Sequence, residues 1–216
     1  MRVFQIGFNK CGTTALFRMF LRSGVKPIHS GGRYWRRRNH PAIAGRNPQV
    51  EIHINIEADL PALTGLEDFQ AFFDMEYVLD MNMPPVENFR RYRVFAEQYP
   101  TAKFILNTRN KSDWLRSRAR HNDGGYVQRA MDRTGLDHDG VLDMWSEDFD
   151  SHHAAVRRYF ADKPGRLLDF DIDHDGSEKL VDFLQPDIAL KAEHWGKWRV
   201  TDEVAASKNW QVALAS

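Results

Sequence analysis

Short apolar runs alternate along the chain with longer amphipathic stretches, and this alternation is the main indication of the fold. Apolar runs of about four to eight residues are typical of buried strands, whereas apolar positions that repeat every three or four residues are typical of helices. The pattern predicts strands at residues 2–6, 25–29, 72–78, 103–108 and 166–170. It predicts helices at residues 13–23, 48–60, 85–98, 112–121, 140–160 and 177–184.

Strands that alternate with helices favour an α/β fold. We expect three layers, with helices on both faces of a mostly parallel sheet. Two segments have no clear periodicity and are predicted to be loops: residues 31–45, which are rich in arginine, and residues 121–140, which are rich in glycine and aspartate. The sequence contains no repeat, low-complexity tract or flexible linker, so its 216 residues are expected to form a single domain.

The most informative motif follows the first predicted strand and contains Gly7, Lys10, Gly12 and Thr13. A nucleotide-binding loop of the pattern G-x-x-x-x-G-K-[ST] carries its lysine directly after the second glycine. Here Thr13 occupies that position, and the lysine of this glycine loop (residues 7–14) is Lys10. A strand, a glycine loop and a helix in this order direct backbone N–H groups toward an anion at the positive end of the helix.

A second motif follows the predicted strand at residues 103–108, where Arg109 ends the strand and Ser117 follows eight residues later. The chain resembles the sulfotransferases in both motifs. In the glycine loop the shared feature is the lysine two residues before the second glycine, and in the second motif it is the spacing of Arg109 and Ser117. The sequence N-T-R, followed by W-x-x-S-R, is most similar to that of soluble bacterial members of the family. The resemblance extends from residue 2 to about residue 184 and implies a fold like that of the P-loop NTPases.

The resemblance also implies the sulfuryl donor, 3′-phosphoadenosine 5′-phosphosulfate (PAPS). We expect no metal, because Lys10 and the backbone N–H groups of the loop can neutralise the charge of the bridge between sulfate and phosphate. Sulfotransferases hold the 5′-phosphosulfate with their glycine loop, which here contains Lys10, Cys11, Gly12, Thr13 and Thr14. They hold the 3′-phosphate with an arginine and a serine, which here are Arg109 and Ser117. Lys10 would neutralise the charge that develops on the leaving group.

Sulfuryl transfer to a hydroxyl or an amine needs a group that accepts the proton of the acceptor. His29, Asp74 and Glu76 are the candidates, because each follows or ends a predicted strand on the edge where the glycine loop lies. Sulfotransferases use a histidine in some branches and a carboxylate in others, so the choice stays open at this stage. Asp80 is a more distant candidate.

Two further clusters carry charge. In the arginine-rich segment, Tyr34 and Trp35 lie among arginines, which suits either a small-molecule or carbohydrate-like acceptor or a solvated basic surface. Asp171, Asp173 and Asp175 have the spacing of the first ligands in an EF-hand calcium loop. A strand precedes them, however, and the twelfth ligand position is an aspartate instead of a glutamate, so we predict a capped turn between a strand and a helix.

Composition limits the classes of function. Lysine and arginine together number 30, as do aspartate and glutamate, so a basic nucleic-acid-binding protein is not expected. The single cysteine, Cys11, excludes an intrachain disulfide, and its position at a helix N-terminus favours a lowered thiol pKa. No apolar run approaches the roughly 20 residues of a membrane span. The chain opens on a strand without a signal sequence, so we expect a cytoplasmic protein with no membrane partner.

Two alternatives stay open. The first is a magnesium-dependent kinase or NTPase on the same fold, although Thr13 replaces the lysine that such enzymes extend to the nucleotide phosphates. The second is a non-catalytic nucleotide-binding relative. Its support is Ala15, which stands where many sulfotransferases have a tryptophan, and the lack of an obvious glycine- and basic-rich loop after residue 184, which in that family often closes over the 3′-phosphate.

Overall fold

A central sheet of five parallel strands organises the protein, and the computed structural model describes residues 1–29 and 47–196. The strands, in chain order, are β1 (Val3–Gln5), β2 (Pro27–His29), β3 (Ala71–Phe73), β4 (Glu76–Tyr77), β5 (Val86–Glu87), β6 (Lys103–Thr108) and β7 (Leu167–Asp171). The order in the sheet is β2-β3-β1-β6-β7, while β4 and β5 form a separate antiparallel pair. The predicted α/β class with a mostly parallel sheet is therefore confirmed.

Helices pack on both faces of this sheet. They are α1 (Thr13–Arg22), α2 (Pro48–Glu57), α3 (Tyr92–Gln98), α4 (Lys111–Ala119), α5 (Gly125–Thr134), α6 (His138–Phe160) and α7 (Ser177–Leu184). One apolar core joins α1 and α7 to strand residues such as Val3, Phe73 and Ile105. The other core contains residues of the five helices from α2 through α6, which pack against strand residues such as Phe4 and Phe104. Successive strand residues point to opposite faces, so β1, β3 and β6 contribute to both cores.

The segment predicted as one strand at residues 72–78 is two strands in the structure. β3 ends at Phe73, and Asp74 has a left-handed backbone with a φ of 55°, which ends the parallel pairing. The N–H group of Asp74 then binds the side-chain oxygen of Gln5. The chain leaves the sheet here, and Glu76 pairs with Glu87 in the separate β4–β5 pair.

Two other predictions about elements were wrong in part. The segment at residues 85–98 begins as β5 and a 3₁₀ turn (Asn88–Arg91) before α3, because its first residues pair with β4. The segment at residues 121–140 contains α5. Gly124 and Gly135 cap the two ends of this helix with φ angles of 82° and 72°, so the glycines that indicated a loop are helix caps.

Parallel strands bring their carboxyl ends to one edge of the sheet, which is the usual ligand-binding edge of an open α/β sheet. The glycine loop follows β1, His29 ends β2, Asp74 follows β3, and Arg109 follows β6. This edge therefore contains most of the residues that the sequence singled out. In the described ranges, no helix has both the length and the apolar character needed to cross a bilayer.

Candidate functional site

The glycine loop joins β1 to α1, as the sequence predicts. Gly12 caps α1 with a φ of 78°, and Lys10 also has a left-handed backbone, with a φ of 61°. In the part of the chain that the structure describes, the backbone N–H groups of Cys11 and Gly12 donate no hydrogen bond. The first turn of α1 has no acidic residue. The N-terminus of this helix therefore offers N–H donors and an uncompensated positive dipole to an anion.

Gly7 lies directly against β6. A Cβ atom at this position would lie 2.1 Å from the backbone oxygen of Asn107 and 2.5 Å from its Oδ1 atom. The N–H group of Gly7 donates to the same Oδ1 atom over 3.1 Å. Only glycine allows the loop to approach the neighbouring strand this closely.

The carboxamide of Asn107 fixes the backbone of the glycine loop. Its Nδ2 atom donates to the carbonyl oxygens of Cys11, at 2.7 Å, and Phe8, at 3.2 Å. Its Oδ1 atom accepts from Gln5 at 2.7 Å, and Gln5 in turn accepts from the N–H group of Asp74. Sequence reasoning missed these two carboxamides. The available signal was a polar residue in each of two apolar strands, and both side chains are fully buried.

Lys10 extends toward the end of α4. Its ammonium group donates to the Nδ1 atom of His121 over 3.3 Å. His121, which stands in no sequence motif, also packs against the ring of Tyr126, with centroids 5.7 Å apart. The cation of the glycine loop therefore has a defined position at the junction of α4 and α5.

Arg109, the residue directly after β6, contacts the glycine loop. Its Nη1 atom donates to the carbonyl oxygen of Lys10 over 3.3 Å, and its Nη2 atom lies 3.8 Å from Asp173. The Nε atom of Arg109 is buried and has no hydrogen-bond acceptor among the described residues. Ser117 is buried on α4, the helix that Asn110 caps immediately after Arg109.

His29 and Asp74 lie together beside the glycine loop. The Nδ1 atom of His29 is 3.5 Å from a carboxylate oxygen of Asp74, and its Nε2 atom is 3.3 Å from the hydroxyl of Thr13. This chain of contacts resembles the arrangement in which a carboxylate orients an imidazole toward a hydroxyl. Two of the three candidate proton acceptors thus contact each other and one residue of the loop.

Glu76 lies in a different, buried group of side chains. Asn9 and Tyr126 both donate to its Oε1 atom, and the Nη2 atom of Arg118 is 3.9 Å from its Oε2 atom. Burial raises the pKa of Glu76 to about 7, although the nearby charge of Arg118 opposes the shift. This carboxyl group connects the glycine loop, through Asn9, with α4 and α5.

Another side chain missed in the sequence supports the end of β1. His152, on α6, lies with its Nε2 atom 2.7 Å from the carbonyl oxygen of Ile6, directly before the glycine loop. Burial lowers the pKa of His152 to about 4, so the ring is neutral at physiological pH and its Nε2–H group is the donor. The contact stabilises the start of the loop and leaves no charge there.

The expected lowering of the Cys11 pKa is wrong. The side chain of Cys11 is fully buried in the apolar core, although its backbone belongs to the glycine loop. Burial raises the pKa of the thiol far above its ordinary value, and the positive charge of Arg109 only partly opposes this effect. The side chain contributes packing, and only the backbone of Cys11 faces the candidate site.

In the acidic turn after β7, the carboxylates of Asp171 and Asp175 accept hydrogen bonds from groups within residues 171–179. The N–H group of Asp171 binds Asp175, the N–H group of Asp173 binds Asp171, and Lys179 donates to Asp175. No group of side chains suited to a metal ion occurs within residues 1–29 and 47–196. The arginine-rich segment with Tyr34 and Trp35 lies outside the described residues.

Comparison with known families identifies the family of the chain. A family model described as "Sulfotransferase domain" matches residues 2–127, which is more than half of the 216 residues. The matched region contains the glycine loop, His29, Asp74, Arg109 and Ser117. No individual curated protein matches the chain significantly.

Proposed function

The chain belongs to the sulfotransferase domain family, and on this premise we propose that it transfers a sulfuryl group from PAPS to a small-molecule or carbohydrate-like acceptor. The acceptor atom is a hydroxyl oxygen or an amine nitrogen. One observation carries the proposal: the glycine loop has its lysine at Lys10, and Arg109 from β6 binds the backbone of that same residue. A phosphate-binding loop and a strand-end arginine in contact suit a donor with anionic groups at both its 5′ and 3′ positions.

The residues present fit such a donor. The N–H groups of Cys11 and Gly12 donate to no acceptor in the described segments, and the hydroxyls of Thr13 and Thr14 stand in the first turn of α1. These groups would hold the 5′-phosphosulfate. The partly exposed guanidinium of Arg109, with the hydroxyl of Ser117, would hold the 3′-phosphate. When bound, PAPS supplies an activated sulfuryl group on its 5′-phosphate.

Lys10 provides the positive charge of the glycine loop. Its ammonium group stays near the loop through its contact with His121. From this position it would neutralise the negative charge that develops on the departing phosphate, which is electrostatic stabilisation of the transition state. A metal ion is not required for this role.

His29 is the proton acceptor in this proposal, and Asp74 orients it. The carboxylate beside Nδ1 favours the tautomer with the proton on that nitrogen, so Nε2, which faces the hydroxyl of Thr13, is the ring nitrogen that would accept a proton. Glu76 fits the role less well, because Asn9 and Tyr126 cover its Oε1 atom in a buried environment.

The proposal is tested by thermal unfolding with adenosine 3′,5′-bisphosphate, adenosine 5′-monophosphate and ATP, each with and without Mg²⁺. A ligand at about 100 times its Kd adds about 2.7 kcal/mol to the unfolding free energy. For a chain of this size that corresponds to a rise of about 5 to 10 °C in Tm. We expect this rise with the bisphosphate, independently of Mg²⁺, and a smaller rise with the monophosphate.

Arg109→Gln should abolish the preference for the bisphosphate, whereas Arg158→Gln, an exposed change on α6, should preserve it. Lys10→Ala should lose sulfuryl transfer with any acceptor that the wild type accepts. Stabilisation by ATP only in the presence of Mg²⁺ would indicate a kinase or NTPase. Binding of the bisphosphate without product from a broad acceptor screen would indicate a non-catalytic relative.

A further inference from the structure

A cavity of about 590 Å³ lies among α4, α5, α6 and the segment that leads into β5. Its apolar lining includes Val78, Pro85, Met144 and Trp145. The volume lies within the range of small-molecule sites, which are largely apolar with a few polar groups that orient the ligand. The lining residues lie between positions 78 and 151. The cavity is therefore formed by residues outside the glycine loop.

Arg118 is the most deeply buried cation in the wall of this cavity. Its side chain is about 5 % exposed, and its guanidinium lies 4.8 Å from the ring centroid of Trp145 and 5.1 Å from that of Tyr126. The Nη2 atom contacts the hydroxyl of Tyr126 and lies 3.9 Å from Glu76. The Nε and Nη1 atoms are buried and have no acceptor among the described residues. Burying such donors is unfavourable unless they are satisfied.

Arg129, on α5, lines the same cavity and shares this property. Its Nε and Nη2 atoms are also buried without an acceptor in the described part of the chain. The other two arginines in the lining are engaged. Arg90 binds Glu87 and Asp148, and the terminal nitrogens of Arg133 donate to the carbonyl oxygens of Val78, Asp80 and Met83. Arg118 and Arg129 are thus the two arginines of the lining with free donors in both the Nε and terminal positions.

The charges of the lining indicate how much negative charge a ligand should carry. Four arginines and three acidic residues (Glu87, Glu147 and Asp148) line the cavity, which leaves one net positive charge in the lining; Glu76, which lies 3.9 Å from Arg118 but outside the lining, offsets this charge only when it is ionised. One monoanion balances it, whereas a dianion would leave an excess negative charge in a partly buried space.

We propose that this cavity binds an apolar or aromatic monoanion, such as a carboxylate, whose oxygens accept hydrogen bonds from Arg118 and Arg129. A guanidinium fork matches the geometry of a carboxylate, and the body of the ligand packs against Trp145, Met144 and Val78. The inference is independent of the proposed sulfuryl transfer, because it rests on side chains outside the glycine loop.

The test measures the binding of 2-naphthoate and its neutral isostere, 2-naphthamide, by calorimetry. We expect the carboxylate to bind at least about tenfold more tightly, which corresponds to about 1.4 kcal/mol. Methyl NMR of the methionines should show that 2-naphthoate shifts the Met144 signal. Equal affinities for the two probes, or no measurable binding of the carboxylate, would overturn the proposal.

Variants locate the contact. Arg129→Gln, at a partly exposed position on α5, should reduce the affinity for 2-naphthoate about tenfold and leave that for 2-naphthamide unchanged. Arg158→Gln removes an exposed arginine outside the cavity lining and should change neither affinity. Equal effects of the two variants would contradict the assigned contact. Unperturbed circular dichroism and Tm of each variant show that the fold is retained.

Discussion

Gly7 and Asn107 are in direct contact across β1 and β6, at a distance that leaves no space for a side chain on Gly7. The carboxamide of Asn107 also binds two carbonyl oxygens of the glycine loop. The shape of the loop therefore depends on a residue 100 positions away in the chain. This contact leads to two predictions, one for each partner.

Gly7→Ala should destabilise the protein and weaken its binding of adenosine 3′,5′-bisphosphate. The new Cβ atom would lie 2.1 Å from the backbone oxygen of Asn107, so the loop must move away from β6. Overpacking of this kind typically costs about 1 to 3 kcal/mol. Urea unfolding and calorimetric titration with the bisphosphate measure the two effects.

Gly125→Ala is the matched control. The nearest heavy atom to a Cβ at Gly125 is the flexible end of Arg129, at 3.4 Å, and the residue lies in the first turn of α5. The substitution should leave stability unchanged or raise it slightly, because alanine favours helix more than glycine does. Similar effects of the two substitutions would show that the close contact at Gly7 is not important.

Asn107→Asp should lower the unfolding free energy by at least about 2 kcal/mol at pH 7, because it leaves two buried carbonyl oxygens without a donor and places a carboxylate beside them. Asn110→Asp makes the same chemical change at an exposed helix cap. There the oxygen accepts from the N–H groups of Ser112 and Asp113, as an aspartate also does. A loss below about 0.5 kcal/mol is expected for this control. Urea unfolding of both variants provides the comparison.

Glu76 should make stability depend on pH between about pH 4.5 and 7. Burial raises its pKa in the folded protein to about 7, from an ordinary value of 4.5. As the pH rises through this range the unfolded chain releases the proton first, so the unfolding free energy falls and then levels off above pH 7. Each unit of pKa difference corresponds to about 1.4 kcal/mol.

Glu76→Gln removes this titration and provides the reference. The difference in unfolding free energy between the wild type and Glu76→Gln should decrease from pH 5 to pH 7 and stay constant from pH 7 to pH 8. Other titrating groups contribute to both proteins and largely cancel in the difference. A difference that does not change with pH would mean that Glu76 has the same pKa in the folded and unfolded states.

Cys11 should be unreactive toward thiol reagents in the folded protein. Its side chain is fully buried, and this burial raises the thiol pKa. Because it is the only cysteine, modification by a chromogenic disulfide should follow unfolding, at a rate about a thousandfold or more below that in denaturant. Ser112→Cys, which adds a thiol at an exposed position, should react at once at that second site. Equally fast modification of both thiols in native protein would contradict the assigned burial.

His29→Gln should lower the rate of sulfuryl transfer by about a hundredfold or more, which is the usual contribution of a general base. Binding of adenosine 3′,5′-bisphosphate should change less than about twofold, because the variant keeps the glycine loop and Arg109. His138→Gln, an exposed histidine at the start of α6, should keep the wild-type rate. The measurement is release of the bisphosphate from PAPS with an acceptor found by screening. Full activity of His29→Gln would indicate that Asp74 or Glu76, instead of His29, accepts the proton.

The residues of the candidate site differ in how far the sequence predicts them. Lys10, Gly12 and Arg109 stand in short motifs, so their types and spacing alone indicate an anion site. Gln5 stands in no motif, and Asn107 stands in the N-T-R motif without a predicted role; the roles of both depend on contacts between strands. Arg118 is the last residue of the W-x-x-S-R motif, but its role also depends on the fold, because its surroundings come from the glycine loop, α4, α5 and α6.

The sequence by itself determined the order of most elements, the α/β class and the glycine loop, because hydrophobic periodicity and turn residues act over a few neighbouring positions. Only the tertiary structure decided that Asp74 lies beside His29, that Glu76 is buried against Tyr126 with a raised pKa, and that α5 occupies a predicted loop. Burial and hydrogen bonding at these positions involve partners distant in the chain. Their effects on pKa and on backbone conformation arise only when the fold brings those partners together.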